Sequence, residues 1–596
     1  MENLIRRFEE TVRDRPAGRR APTRPLSVPL SEIDDPLLLA RLHDAALFLR
    51  AFPRTRTDVR RAEALLRKVP GRMEALARRG VDLSGLDDFT GVGIGGTSLT
   101  MDFSWGMARW LARRYPHDVS IAWDEVDSPA RLAPALSRFL PFLSERSLAD
   151  ASVDTRAWLS AALPKRTRDG GLALLIDVFD RKDETDDARA ERFDLLALPI
   201  RWTLHASRAS RTLARLPAGA QFIDAGPLLS RRDVSIARDG TTPAPRIRRV
   251  GRDSGAAFLD AARAAVGVRY RELYAFTWGN PGDVVRGDAG RGLSIWCCGL
   301  LPDHRLPLRA GYGFLLARNG VPIGYGDAYA LGDRLDLSFN VFYAFRDGES
   351  AFAYVRTVAF FRAYLGTRSV SIDPYQIGRD NEEGIRSGAF WFYRKLGFRS
   401  EDPVLETLAR KEEARLARAP GRKTPPSLLR RMAEAAVVLD LPGREGGAWR
   451  AVSLDRLGLR IQRRMAESGL RPEAFRASSV RYVAGALGLE PGALTTHEVR
   501  VLEDLAPVFD LVPGLSRLPA NEKAALGTLL RKKAGRSEAG YVRALARARF
   551  LASHFACSSA RRGGSQLGMA DPPDPGRPGT GLRRSVSDGS SPKQSL

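Results

Sequence analysis

Apolar and polar positions alternate most clearly between residues 311 and 343. Two apolar runs in FLLARNGVPIGYG (314–326) flank Asn319-Gly320, the pair that most readily takes the positive φ angles of a two-residue hairpin turn. Leu335, Leu337, Phe339, Val341 and Tyr343 then alternate with Asp336, Ser338 and Asn340, which predicts a strand with one apolar and one polar face. Arg346-Asp347-Gly348-Glu349-Ser350 breaks the alternation, after which Phe352, Val355, Val358, Ala359 and Phe361 recur at helical spacing up to Gly366. A strand that feeds a tight turn into a helix points unbonded N–H groups, and the positive end of the helix dipole, at one spot, where an anion belongs. A second strand is expected at SVSID (369–373), and a helix from about Ser387 to Leu396 that Gly397 closes.

Away from this stretch the pattern is helical from Leu38 to about Arg79, over 102–116, 207–216 and 256–276, and over the charged segment 401–418. Strands are expected at 118–125, 172–179, 194–204 and in the apolar run LSIWCCGL (293–300). The glycine-rich GVGIGGTSLT (91–100) lacks the Gly-Lys-Ser/Thr ending of a phosphate-binding loop and is read as structural. The chain therefore divides into a mobile arm (1–25), a mixed α/β domain (26–250), a central α/β domain (251–415), a helical domain (427–556) and a disordered tail (561–596). After Phe398 the pattern offers no further strands.

The central segment resembles the core of the GNAT acyltransferase superfamily, whose members usually move an acyl group from coenzyme A to an amine. The family's turn runs Arg or Gln, two residues, Gly, one residue, then Gly or Ala. Arg346 and Ala351 fit it, while Glu349 stands at the glycine and Gly348 lies one place early. The second family motif is matched with its spacing by Ala389, Tyr393, Lys395, Gly397 and Phe398. The resemblance covers under a fifth of the chain.

This resemblance implies an α/β fold with a GNAT-like mixed sheet core, and a donor that is acetyl-CoA or another acyl-CoA. The backbone of Asn340, Val341 and Phe342 would hold its pantetheine arm, and the loop of Arg346, Gly348, Glu349, Ser350 and Ala351 its pyrophosphate. Tyr393 would protonate the departing thiolate. Asp336, or failing it Asp373, would take the proton of the attacking amine. The acceptor would be a small-molecule or protein amine, and because only LPDHRLPLRAGY (301–312) separates 293–300 from the hairpin, other parts of the chain must build its pocket. Two alternatives share the fold: an inactive interaction protein, and a transferase that takes its donor from aminoacyl-tRNA.

At 596 residues the chain can hold several packed cores. Its 94 basic against 70 acidic residues give a net charge of +24, but the arginines are scattered and no recognition motif accompanies them, so nucleic acid is the less favoured partner. No apolar run is long enough to cross a bilayer and no secretion signal opens the chain, which points to the cytoplasm without a membrane partner. Three cysteines build no disulfide framework, and six histidines show no ligand spacing, so no metal is expected.

Overall fold

The computed structural model describes residues 1–13, 29–88, 91–127, most of 129–164, 167–180, 184–240, 244–419, 421–442 and 447–556. The tail expected to be disordered, and residues 14–25 of the expected arm, lie outside the described residues. Two sheets hold the described strands. β1 (Thr97–Asp102), β2 (Val119–Ile121) and β3 (Pro199–Leu204) form a small antiparallel sheet in the order β1-β3-β2. Helices Trp105–Arg114, Leu172–Phe179 and Asp186–Asp194 bring Trp105, Phe179 and Phe193 into its core with Trp202.

The larger sheet takes β4 (Arg246–Arg249), β5 (Gly279–Gly290), β6 (Leu293–Leu300), β7 (Ala310–Arg318), β8 (Val321–Leu331), β9 (Arg334–Leu337), β10 (Asn340–Val341), β11 (Ser369–Ile372), β12 (Arg399–Ser400) and β13 (Val437–Asp440). Their order is β12-β13-β11-β9-β8-β7-β6-β5-β4, with β10 continuing β9 along β8. Asn319 and Gly320 adopt φ of +50° and +78° and close the β7–β8 hairpin as their sequence dictates. Neighbours are antiparallel throughout except at β9 and β11, which run parallel because the helix Ser350–Leu365 connects them.

Alternation along the strands decides what covers each face. Trp296 of β6 stacks on Phe258 of the helix Arg252–Gly267 with centroids 5.6 Å apart. Phe314 of β7 points to the other face and meets Phe361 of the helix Ser350–Leu365 edge-on at 5.5 Å. Both faces are therefore dry, and Cys297 and Cys298 lie buried in the middle as free thiols, with burial pushing Cys298 up to about 12.

Several elements differ from the pattern. Residues 2–13 of the expected arm form a helix, Glu2–Arg13, that buries Ile5, Phe8 and Val12. The apolar run 172–179 is a helix and not a strand, entered through Gly171 at φ +97° and burying Leu172, Leu175, Ile176 and Phe179 on one side. Residues 207–216 form turns in place of a helix, because Arg211 N–H goes to the Gly93 carbonyl and Leu216 N–H to that of Gly320. Strands do follow Phe398: β12 and β13 pair with each other, and β13 with β11, closing that edge of the sheet. The glycine-rich loop is packed tight. A Cβ on Gly93 would stand 2.2 Å from the Val268 carbonyl oxygen, and Gly95 N–H is held by Thr212 Oγ1.

Candidate functional site

β9 and β11 pair from Ser369 and Arg334 to Ser371 and Asp336, and then part. β11 stays with β13 through Ile372, whereas β10 stays with β8, Asn340 opposite Tyr325 and Val341 opposite Gly324. Two glycines of β8 pull β10 aside. A Cβ on Gly326 would stand 2.2 Å from the Ser338 carbonyl oxygen and one on Gly324 2.5 Å from that of Asn340, so the strand rides against β8 where a side chain would hold it off.

The parting leaves a bare strand edge. Ser338 N–H donates to the Asp327 carbonyl at 2.9 Å and Phe342 N–H to that of Ile323 at 3.0 Å. Alternation then turns the N–H and C=O groups of Phe339 and Val341 away from β8, toward the gap. Among the described residues these groups meet one partner, Arg346 Nε, 3.4 Å from the Val341 carbonyl oxygen.

The turn after β10 lies at the mouth of the gap. Arg346 stacks on Tyr343 at 3.7 Å and pairs with Glu383, while the exposed Asp347 pairs with Arg13 of the first helix at 2.5 Å. Gly348 leaves room for the Phe52 ring, whose Cζ would be 2.7 Å from a Cβ there. Glu349 does not face the turn. Its side chain is 2% exposed and accepts from Arg318 at 2.7 Å, Arg291 at 2.6 Å and Leu229 N–H at 3.2 Å. It makes no cap to the helix Ser350–Leu365, so the N–H groups of Ser350, Ala351 and Phe352 have no acceptor among the described residues.

An aromatic wedge backs the gap. Phe339 meets Tyr354 edge-on at 5.1 Å, and Tyr354 meets Tyr393 at 5.3 Å, Phe392 at 5.7 Å and Phe398 at 6.1 Å. Tyr393, 3% exposed, lies in the helix Ala389–Lys395 at the spacing its motif requires. Burial holds its phenol well above the ordinary range, which favours the protonated form.

The two residues expected to move protons are not brought together. Leu335, Leu337 and Phe339 share the face of Tyr354 and Tyr393, whereas Asp336 points to the opposite face, held by Arg334 at 2.9 Å and Arg309 at 3.6 Å. Asp373, the second candidate, caps the short helix Pro374–Ile377 by accepting from Tyr375 N–H.

Pattern reading missed Asp327. It accepts from the Ser338 hydroxyl directly across the strand pair, and burial raises its carboxyl above the ordinary range despite that hydrogen bond. Only the register of β8 against β9 and β10 reveals the pair. Glu383 also approaches the mouth. Burial would raise it, but Arg346 and the Tyr343 hydroxyl, at 2.7 Å, outweigh this and hold it low.

Beside β13, away from the gap, lies a shallow hollow of about 600 Å³ lined by Glu401, Asp440 and Arg450. Among the described residues no cluster of three or more His, Cys, Asp or Glu could hold a metal ion, and no helix is long and apolar enough to cross a membrane. No family model, curated protein or solved structure matches the chain.

Proposed function

We propose that residues 311–398 form a GNAT-type acyltransferase core that takes an acyl-CoA in the gap between β10 and β11 and transfers its acyl group to an amine. The observation that carries this reading is the bare edge at Phe339 and Val341, which offers an extended amide-bearing arm the hydrogen bonds of a missing strand. The unbonded first-turn amides at Ser350 to Phe352 suit a pyrophosphate at the gap's mouth. The side chain of Glu349 is neutralised by two arginines on the inner side of the turn, so its place in the motif does not set a bare carboxylate against the phosphates. β12 and β13 supply the closing strands that family members carry.

In the reaction the amine nitrogen bonds to the thioester carbonyl carbon, and the carbon–sulfur bond breaks with its electron pair going to sulfur. Tyr393 gives its proton to the thiolate, and the proton shed by the amine returns to the Tyr393 phenolate through a carboxylate relay. Amide and free coenzyme A are the products. Asp327, whose carboxyl burial raises and which pairs with Ser338, lies on the same face as Asp336, opposite Tyr393, so a relay from either carboxylate to the phenolate crosses the open gap; Asp336 is in addition held by two arginines.

Calorimetric titration with acetyl-CoA tests the proposal. Saturable submillimolar binding is expected, together with a turnover in Tyr393→Phe lower by about 10² to 10⁴, the usual worth of a positioned proton donor. No heat of binding at millimolar ligand would remove the proposal.

One observation favours a second reading, an inactive interaction protein of the same fold. The rings of Phe339, Tyr354, Phe392, Tyr393 and Phe398 pack the root of the gap, and Phe52 lies over the turn. The same titration separates the two.

A further inference from the structure

Tyr354 is fully buried, and its hydroxyl is sealed from solvent with no hydrogen-bond partner among the described residues. A buried hydroxyl without a partner is costly, and such groups in a folded chain call for a cause. Packing does not supply one. Phe339, Phe392 and Phe398 fill the rest of the wedge with phenylalanine, and a phenylalanine at 354 would fill its own space equally well.

We propose that the Tyr354 hydroxyl donates a hydrogen bond to the thioester of a bound acyl-CoA, a binding contact beside Tyr393, which keeps the role of protonating the thiolate. This rests on the reading of the gap as an acyl-CoA slot. Phe339 links the two: its ring lies edge-on to Tyr354 at 5.1 Å, and its backbone carries the bare edge on which the arm would lie. A thioester at the inner end of that arm comes to rest one side chain from the Tyr354 hydroxyl, and its oxygen or sulfur supplies the missing acceptor. Burial, and the nearby Tyr393, keep the Tyr354 phenol protonated, so it donates.

The test is Tyr354→Phe, read by thermal melting and by calorimetry with two probes, acetyl-CoA and desulfo-CoA, which lacks the sulfur. Removing an unpaired buried hydroxyl raises the melting temperature, whereas removing a thioester contact weakens acetyl-CoA by about tenfold, the order expected for one hydrogen bond, and leaves desulfo-CoA unchanged. A lower melting temperature or failure to fold overturns the proposal, because a hydroxyl needed for folding is not an orphan. Unchanged acetyl-CoA affinity, or an equal loss for both probes, overturns it as well while leaving the slot standing. If the wild-type chain binds neither probe, the slot itself fails, and this inference with it.

Discussion

Glu349 stands where the family turn carries glycine, and its environment explains why the exception is stable. Arg318 is as deeply buried as Glu349 and stacks on Phe52 at 5.0 Å, so the pair is a buried ion pair between the helix start and the β7–β8 hairpin. Glu349→Gly would restore the family pattern and leave the buried Arg318 without its carboxylate, while Arg291 would keep Asp224 at 2.9 Å. Breaking one side of a buried pair typically costs about 3–5 kcal/mol, and denaturant unfolding of the variant should show a loss of that size. An unchanged midpoint would mean that the pair contributes nothing. This role was not legible in the sequence, where Arg291 and Glu349 are 58 residues apart and look like two unrelated surface charges. The helix that carries Tyr393 was legible, because the spacing of 389, 393, 395, 397 and 398 is local. Asp327 was not, since its meaning comes from Ser338 across a strand pair.

Among the elements, those that local chemistry determines were readable. The β7–β8 turn follows from Asn319-Gly320, and the helix Thr496–Phe509 starts with the capping box of Thr495 and Glu498. Elements set by distant partners were not. The sequence of β5 is interrupted by glycines and carries no predicted element, yet Gly287 is what admits the Phe360 ring, whose Cδ2 would lie 2.5 Å from a Cβ there. The run 172–179, apolar but for Asp177, fits strand and helix equally by period, and packing against Trp105 decides for helix. β12 and β13 are too short to announce themselves; β11 offers its edge to β13, and β13 in turn offers one to β12. The gap depends on an element of this kind. Gly326→Ala puts a methyl group into the Ser338 carbonyl and the Phe314 ring, forcing β10 off β8. Overpacking of this sort costs about 1–3 kcal/mol, and a melting curve should shift down accordingly; a variant as stable as wild type would show that β10 is not pinned there.

For the whole molecule, two apolar cores share one chain, and the larger joins the first three helices, the ten-stranded sheet and the C-terminal helices from Leu454 to Phe555. Within the expected N-terminal arm, Arg13 of the first helix pairs with Asp347, so this part of the chain reaches the turn that the candidate site uses. Arg13, Arg291, Arg318, Arg334, Arg346 and Arg394 pair with carboxylates of the fold, and the net charge of +24 is the excess left over all such pairs. Everything functional depends on the bare edge between β10 and β11 accepting an arm that behaves like a strand. Amide hydrogen exchange at Phe339 and Val341, measured with and without saturating acetyl-CoA, reads that edge directly. Both amides should exchange freely in the unliganded protein and become protected on binding, while the amides already bonded to β8 stay as they were. Exchange at Phe339 and Val341 that acetyl-CoA leaves unchanged would contradict the account.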